Sequence, residues 1–86
     1  MKTSKEFTYD LNELHHNVET AIARLVKKNN LENVVFDFSF HRFTINPKVG
    51  FVEIKVVDGN TYNLLDILSV NESIMLLELI EKQINN

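Results

Sequence analysis

The residue types of a serine hydrolase triad occur together in the stretch FDFSFHRFTI, residues 36–45, as Asp37, Ser39 and His41. On a β-strand, residues two positions apart are separated by about 6.6 Å. Ser39 would also lie between the other two, whereas the chemistry needs the histidine between the acid and the nucleophile. We therefore expect these three residues to form the solvent-facing side of a half-buried strand.

A second group of residues that could do chemistry is His15, His16 and Glu19. Adjacent residues of a helix point in different directions, so the two histidines cannot bind one ion together. His15 and Glu19 lie one helical turn apart and offer two ligands, but a catalytic zinc site usually has three protein ligands. The chain has no cysteine, which excludes disulfides, thiolate metal sites and a cysteine nucleophile. We predict no catalytic residue, no metal site and no cofactor, and therefore a protein that is not an enzyme.

The length and composition predict one small globular domain over residues 1–86. Hydrophobic residues make up 44% of the chain and charged residues 24%, as in ordinary soluble proteins. The formal net charge of −3 disfavours sequence-independent binding to nucleic acid, which depends on neutralising phosphates. No apolar run is long enough to span a membrane, and the first residues contain no apolar signal segment. We therefore expect a cytoplasmic protein without a membrane partner.

The first predicted helix covers about residues 10–29, where apolar residues recur at helical spacing. Asp10 and Glu13 fit a capping box at its start. Asn30 followed by Leu31 fits a left-handed helix stop with its hydrophobic contact.

A second helix is predicted over about residues 70–84. Ser69 and Glu72 fit a capping box at its start. Its main apolar face is wide enough to pack on a sheet, while Met75 and Leu79 lie four residues apart on the opposite side.

Between the helices, three runs of β-forming residues are predicted to be strands, at about 34–45, 51–57 and 61–66. Residues 46–50 lie between the first two strands, where Pro47 fixes φ for a turn and Gly50 permits a positive φ. Residues 58–60, Asp-Gly-Asn, predict a tight hairpin connection. Because the connections are short, we predict an antiparallel meander. The element order then predicts an α+β fold with both helices on one face of the sheet.

The apolar alternation changes phase inside the first predicted strand. Its early phenylalanines occupy even positions, whereas Phe43 and Ile45 follow at odd positions. A β-bulge at His41–Arg42 would turn Phe43 and Ile45 to the helix-covered face. Phe43 would then lie opposite Ile54, and Ile45 opposite Val52. Because burying each side chain is worth roughly 1.5–3 kcal/mol, the bulged strand is favoured.

The alternative is an unbulged strand, which leaves Phe43, Ile45 and Phe51 together on the outer face of the sheet. An exposed apolar patch of this kind is typical of a binding surface. Both registers remain open from the sequence alone.

We predict a small non-enzymatic protein-protein interaction or regulatory module that self-associates. Chains of this length often gain stability from oligomerisation. The partner is expected to be a second copy or another protein. Its candidate surfaces are Met75 with Leu79 on the second helix and Phe43, Ile45 and Phe51 on the hairpin.

The alternative function is that of a nucleic-acid-associated regulator. Arg42, Lys48 and Lys55 give the hairpin a basic character, and they are the candidate phosphate contacts. Such binding would weaken steeply with added salt.

Overall fold

The computed structural model describes residues 11–85. They form three helices and a four-stranded antiparallel sheet with the strand order β1-β2-β3-β4. The elements in chain order are α1 (Leu11–Lys28), β1 (Phe36–Phe38), β2 (His41–Lys48), β3 (Phe51–Val56), β4 (Thr61–Asn63), α2 (Leu64–Ile67) and α3 (Val70–Ile84). The predicted α+β class is confirmed, with four strands instead of three and one additional short helix.

One hydrophobic core lies between the sheet and the helices. Helix α1 lies against β2 and β3, and α3 packs against α1. The buried apolar residues of this core are Val18, Ile22, Val26, Phe36, Phe43, Ile45, Val52, Ile54, Leu64, Leu68, Leu76 and Ile80.

Helix α1 ends in a Schellman motif, which confirms the predicted left-handed stop. The Leu31 N–H donates to the Val26 carbonyl at 2.9 Å, and the Asn30 N–H donates to the Lys27 carbonyl at 3.4 Å. Asn30 adopts the left-handed conformation, with φ 54°, and Leu31 packs against the core. These contacts satisfy carbonyls that the end of a helix otherwise leaves free. The predicted start at Asp10 lies outside the described residues.

Helix α3 begins with the predicted capping box. The Glu72 N–H donates to the Ser69 hydroxyl at 3.1 Å, and the Ser69 N–H donates to Glu72 Oε1 at 2.9 Å. Two N–H groups of the first turn are thereby satisfied.

The phase change in residues 36–45 is a turn and not a bulge. Ser39 and Phe40 have φ values of 54° and 66°, the left-handed pair found in a type I′ hairpin turn. The chain reverses there, so that Phe36 lies opposite Phe43, with ring centroids 6.5 Å apart. Directly opposite residues share a face of the sheet, and both rings are buried in the core.

The connection predicted over residues 46–50 is shorter, because β2 continues through Pro47 and only Val49 and Gly50 form the turn. Gly50 has the positive φ expected of it, at 87°. The Arg42 carbonyl accepts a hydrogen bond from the Val57 N–H at 2.8 Å. The backbone N–H and C=O groups of successive residues point to opposite sides of an antiparallel strand. Arg42 faces β3, and Pro47 is an odd number of residues further on, so its backbone polar groups point away from β3. The missing N–H of proline therefore removes no bond from the β2–β3 ladder.

The register of β2 and β3 differs from the predicted one by two residues. Phe43 lies opposite Val56, and Ile45 lies opposite Ile54; the bulged strand was expected to place them opposite Ile54 and Val52. Since a shift of two residues preserves the face of every side chain, Phe43 and Ile45 still point into the core.

The strand predicted over residues 61–66 is shorter, because the chain turns into α2 at Leu64, which is fully buried. The predicted connection before it is present at residues 57–60. There the Gly59 N–H donates to the Val56 carbonyl at 3.1 Å. The second half of the predicted strand is therefore helical, and this helix places Leu64 in the core.

Candidate functional site

The β1–β2 turn exposes the side chain of Phe40 to solvent. Its accessible area is 105% of the reference value for phenylalanine. Phe40 also has φ 66°, a region in which a bulky residue costs of order 1–3 kcal/mol. Within residues 11–85, an aromatic side chain without a partner and a strained backbone therefore coincide at Phe40. We call this side chain the Phe40 knob.

A contact with α3 holds the turn in place. The Ser39 hydroxyl donates to Glu72 Oε2 at 2.8 Å, while Oε1 of the same carboxylate accepts the Ser69 N–H. Both oxygens of Glu72 are therefore used, one by the helix cap and one by the turn. The first turn of α3 fixes the position from which the Phe40 knob projects.

These contacts also affect the ionisation of Glu72. The hydrogen bond from the Ser69 backbone, followed by that from the Ser39 hydroxyl, holds the pKa of this carboxyl below its ordinary value. His41 lowers the pKa further by its charge, and desolvation opposes the shift. The carboxylate that holds the turn is thus stabilised in its charged form.

A hollow of about 330 Å³ lies beside the turn, and we call it the β4–α2 hollow. His41, the residue that follows Phe40 in the sequence, is one of the residues that line the hollow. Its apolar wall includes Val56, Tyr62 and Ile67, and Asp66 lies at its exposed rim. Tyr62 remains 41% exposed, so the hollow offers an aromatic surface that the domain itself does not cover.

A second cleft, between α1 and the β2–β3 hairpin, contains the buried carboxylate of Glu19. Glu19 Oε2 accepts the Val52 N–H at 2.9 Å, and Oε1 lies 3.1 Å from His16 Nδ1. The Val52 N–H points to the side of β4, but β4 has already ended at Asn63. Glu19 therefore supplies the acceptor that a longer β4 would have provided, which is a structural role.

His15 also has a structural partner. Its Nε2 lies 2.9 Å from the hydroxyl of Ser73, which is fully buried on α3. His15 and Glu19, which lie one helical turn apart, have separate partners, because Glu19 bonds His16 and Val52. Among residues 11–85, no group of three or more potential metal ligands comes together.

The three residues of the triad types are separated, and the prediction that they share one solvated strand face is wrong. Asp37 lies 3.8 Å from Arg42, Ser39 bonds Glu72, and His41 lines the β4–α2 hollow. The turn at Ser39 breaks the alternation on which that prediction depended.

The candidate apolar residues of the binding surface fall into two groups. Phe43 and Ile45 are buried in the core, so an outer patch with Phe51 does not exist, although Phe51 itself is 39% exposed. Met75 is exposed on α3, whereas Leu79 is half-buried and packs against the core. Leu79 therefore adds less exposed apolar surface beside Met75 than was expected.

The candidate phosphate contacts Arg42, Lys48 and Lys55 share the face of the sheet opposite the helices, as the register shows. Two of them lie near carboxylates of the same chain. Arg42 Nε lies 3.8 Å from Asp37 Oδ2, and Lys48 Nζ lies 3.9 Å from Glu53 Oε1. The face is of mixed charge, which weakens its attraction for phosphate.

Phe40 is the residue that the sequence reasoning missed. Ser39-Phe40 is not a turn sequence, since type I′ turns favour Asn-Gly and similar pairs. The only available signal is the change of apolar phase after Phe40, which a turn explains as well as a bulge.

No helix within residues 11–85 has both the length and the apolar character needed to cross a bilayer. Comparison of the chain with protein-family models, with curated proteins and with solved structures finds no match.

Proposed function

We propose that this protein is a non-enzymatic interaction module that self-associates through the surface around the β1–β2 turn. The observation that carries the proposal is the Phe40 knob, a fully exposed aromatic side chain on a left-handed residue. Strained residues cluster at functional sites, and exposed aromatic side chains are frequent anchors of protein interfaces. A phenylalanine that served only the fold would be expected to point into the core.

The anchoring of the turn supports this assignment. Ser39 and Glu72 hold the knob on α3 through a 2.8 Å hydrogen bond, so the side chain is presented from a fixed backbone. A preorganised anchor loses less conformational freedom on binding than a mobile one. The surface around Met75 offers a weaker case, because isolated exposed apolar residues are common and need no functional explanation.

The test is the oligomeric state of the purified full chain, measured by sedimentation velocity over a range of concentrations. We expect a concentration-dependent dimer, and Phe40→Asn should shift it to monomer. Asparagine tolerates a positive φ, so this variant removes the ring and leaves the turn intact. A chain that sediments as a monomer at every concentration would contradict the proposed function.

The second candidate is nucleic-acid binding by the outer face of the sheet. The observation in its favour is that Arg42, Lys48 and Lys55 share that uncovered face. Titration of labelled single-stranded and double-stranded oligonucleotides at low and high salt distinguishes the two functions. Binding that weakens steeply with salt would favour this candidate, and no binding at low salt would remove it.

A further inference from the structure

We propose that two copies form a twofold dimer in which the Phe40 knob of each enters the β4–α2 hollow of the other. This inference rests on the proposed self-association and specifies its surface. The knob lies on the β1–β2 turn, and the hollow lies at the same end of the sheet, lined by residues of β2, β3, the 57–60 turn, β4 and α2.

The position of the two features matches the requirement of a closed dimer. Phe40 is bonded directly to His41, which lines the hollow, so the projection and the depression are neighbours on one surface. In a twofold interface each patch must be complementary to itself, and residue i contacts residue j in both directions. A knob beside its matching hollow satisfies this condition, whereas a knob far from the hollow would build an open chain.

The turn prevents the knob from filling the hollow of its own protomer. Ser39 and Phe40 are both left-handed, and the hydrogen bond from Ser39 to Glu72 fixes the turn on α3. Phe40 consequently projects fully into solvent, while Tyr62 in the adjacent hollow stays 41% exposed. Two apolar surfaces that cannot meet within one chain are available to meet between two chains.

The chemistry of the hollow suits a phenylalanine. Val56, Tyr62 and Ile67 supply apolar contact and an aromatic partner for an offset or edge-to-face arrangement. The rim carries the exposed carboxylate of Asp66, and His41 follows the knob. An imidazole N–H can donate to a carboxylate, so His41 of one protomer and Asp66 of the other form a complementary pair beside the ring.

The size of the contact predicts a dimer that dissociates on dilution. An aromatic side chain buries about 150–250 Å², so two knobs supply only part of the roughly 1,200–2,000 Å² of a stable interface. The turn at residues 57–60, which contributes Gly59 and Asn60 to the hollow, supplies more. A modest interface of this kind is best studied over a wide concentration range.

The experiment removes the knob and the hollow separately. Phe40→Asn deletes the knob, and Tyr62→Glu places a charge in the hollow. Each variant is expected to dimerise at least about a hundredfold more weakly, because both rings of the dimer lose their burial. Asn60→Arg, at an exposed turn position, is a second hollow variant for use if Tyr62→Glu reduces the thermal unfolding temperature. Met75→Ser, on an exposed apolar residue of α3, is the control and should leave the dimer unchanged.

Mixing the variants gives the decisive result. Phe40→Asn retains an intact hollow, and Tyr62→Glu retains an intact knob. A mixture of the two, each carrying a different fluorophore, should therefore form heterodimers with one knob in one hollow, although neither variant dimerises alone. Energy transfer between the fluorophores reports this association.

The outcomes separate the two proposals. If Phe40→Asn abolishes the dimer while Tyr62→Glu and Asn60→Arg both retain it, self-association through the β1–β2 turn stands and the knob-in-hollow interface is overturned. If Phe40→Asn dimerises as well as the unaltered chain, the protein self-associates through another surface and both proposals are overturned. Loss of the dimer in Met75→Ser alone would move the interface to α3. A mixture that stays monomeric at the highest concentration would overturn the pairing of knob and hollow. An unaltered chain that is monomeric throughout would overturn both proposals.

Discussion

The β1–β2 and β2–β3 turns are both two residues long and both expose an apolar side chain, yet they are built differently. Val49 has 96% of its reference area exposed, close to the value for Phe40. In the β2–β3 turn the positive φ of 87° belongs to Gly50, which adopts it without strain. In the β1–β2 turn both left-handed positions carry side chains, and a contact with α3 holds them. The β2–β3 turn thus depends on the residue type at Gly50, whereas the β1–β2 turn depends on a tertiary contact between Ser39 and Glu72.

The largest effect is expected on removing the core contact that closes the β1–β2 hairpin. Phe36→Ala deletes a buried ring that lies opposite Phe43, and we expect a loss of about 3–5 kcal/mol in the free energy of unfolding. Urea denaturation measures it. Val35→Ala, at the half-exposed neighbouring residue, is the control and should change stability by less than about 0.5 kcal/mol. A loss for Phe36→Ala as small as that of the control would mean that the hairpin forms without its core contact.

A smaller effect tests the locally built turn. Gly50→Ala should destabilise the fold by about 1–2 kcal/mol, because a side chain at φ 87° is strained. Apart from Gly50 itself and its two chain neighbours, no residue has a heavy atom within 4 Å of an added Cβ, so the loss reports the backbone conformation without a steric clash. The same urea measurement applies. An unchanged free energy would show that the turn can change conformation to accept alanine.

The opposite sign is expected at the β1–β2 turn. Phe40→Asn should raise the free energy of unfolding by roughly 0.5–1 kcal/mol, since asparagine adopts the left-handed region more readily than phenylalanine. The measurement belongs at low protein concentration, where association does not add to stability. Val49→Asn is the matched control, because Val49 is equally exposed but has no positive φ, and it should give no increase. A decrease for Phe40→Asn would show that the ring contributes to the fold of the monomer.

The smallest expected effect is the pH dependence of the contact that holds the β1–β2 turn. The pKa of Glu72 is lowered in the folded protein, so its contribution to stability is present above the ordinary carboxyl value of 4.5. That contribution is lost as the pH falls through the lower folded value. Glu72→Gln should therefore narrow the stability difference between neutral and acidic pH, measured by thermal unfolding at a series of pH values. Glu78→Gln, on an exposed residue of the same helix, is the control. A pH profile for Glu72→Gln that matches the unaltered chain would contradict this assignment.

The predictions from sequence succeeded where the signal is local. The capping box of Ser69 and Glu72 and the left-handed stop at Asn30 depend on residues within one helical turn, and both are present. The favoured bulged strand also predicted the core-facing side of Phe43 and Ile45, since its register differs from the observed one by two residues and therefore gives the same face.

The features that sequence reasoning missed depend on contacts distant in the chain. The turn at Ser39 and Phe40 forms without turn residues, since Glu72, 33 positions away, bonds it. Pro47 remains in β2 because, in the observed register, the position of its missing N–H faces away from β3. Glu19 is buried because β4 ends one residue before it could serve Val52. None of these causes lies near the residue that it affects.

The Glu19–Val52 bond and Pro47 also determine how this sheet can grow. A sheet polymerises when a further strand pairs with free N–H and C=O groups at its edge. On the β4 side, the next N–H of β3 past the end of β4 belongs to Val52 and is already bonded to Glu19. On the β1 side, the part of β2 that extends past β1 contains Pro47, which has no N–H. The edge strands β1 and β4 are themselves only three residues long. Each side of the sheet therefore presents only a short row of free backbone groups to a further strand.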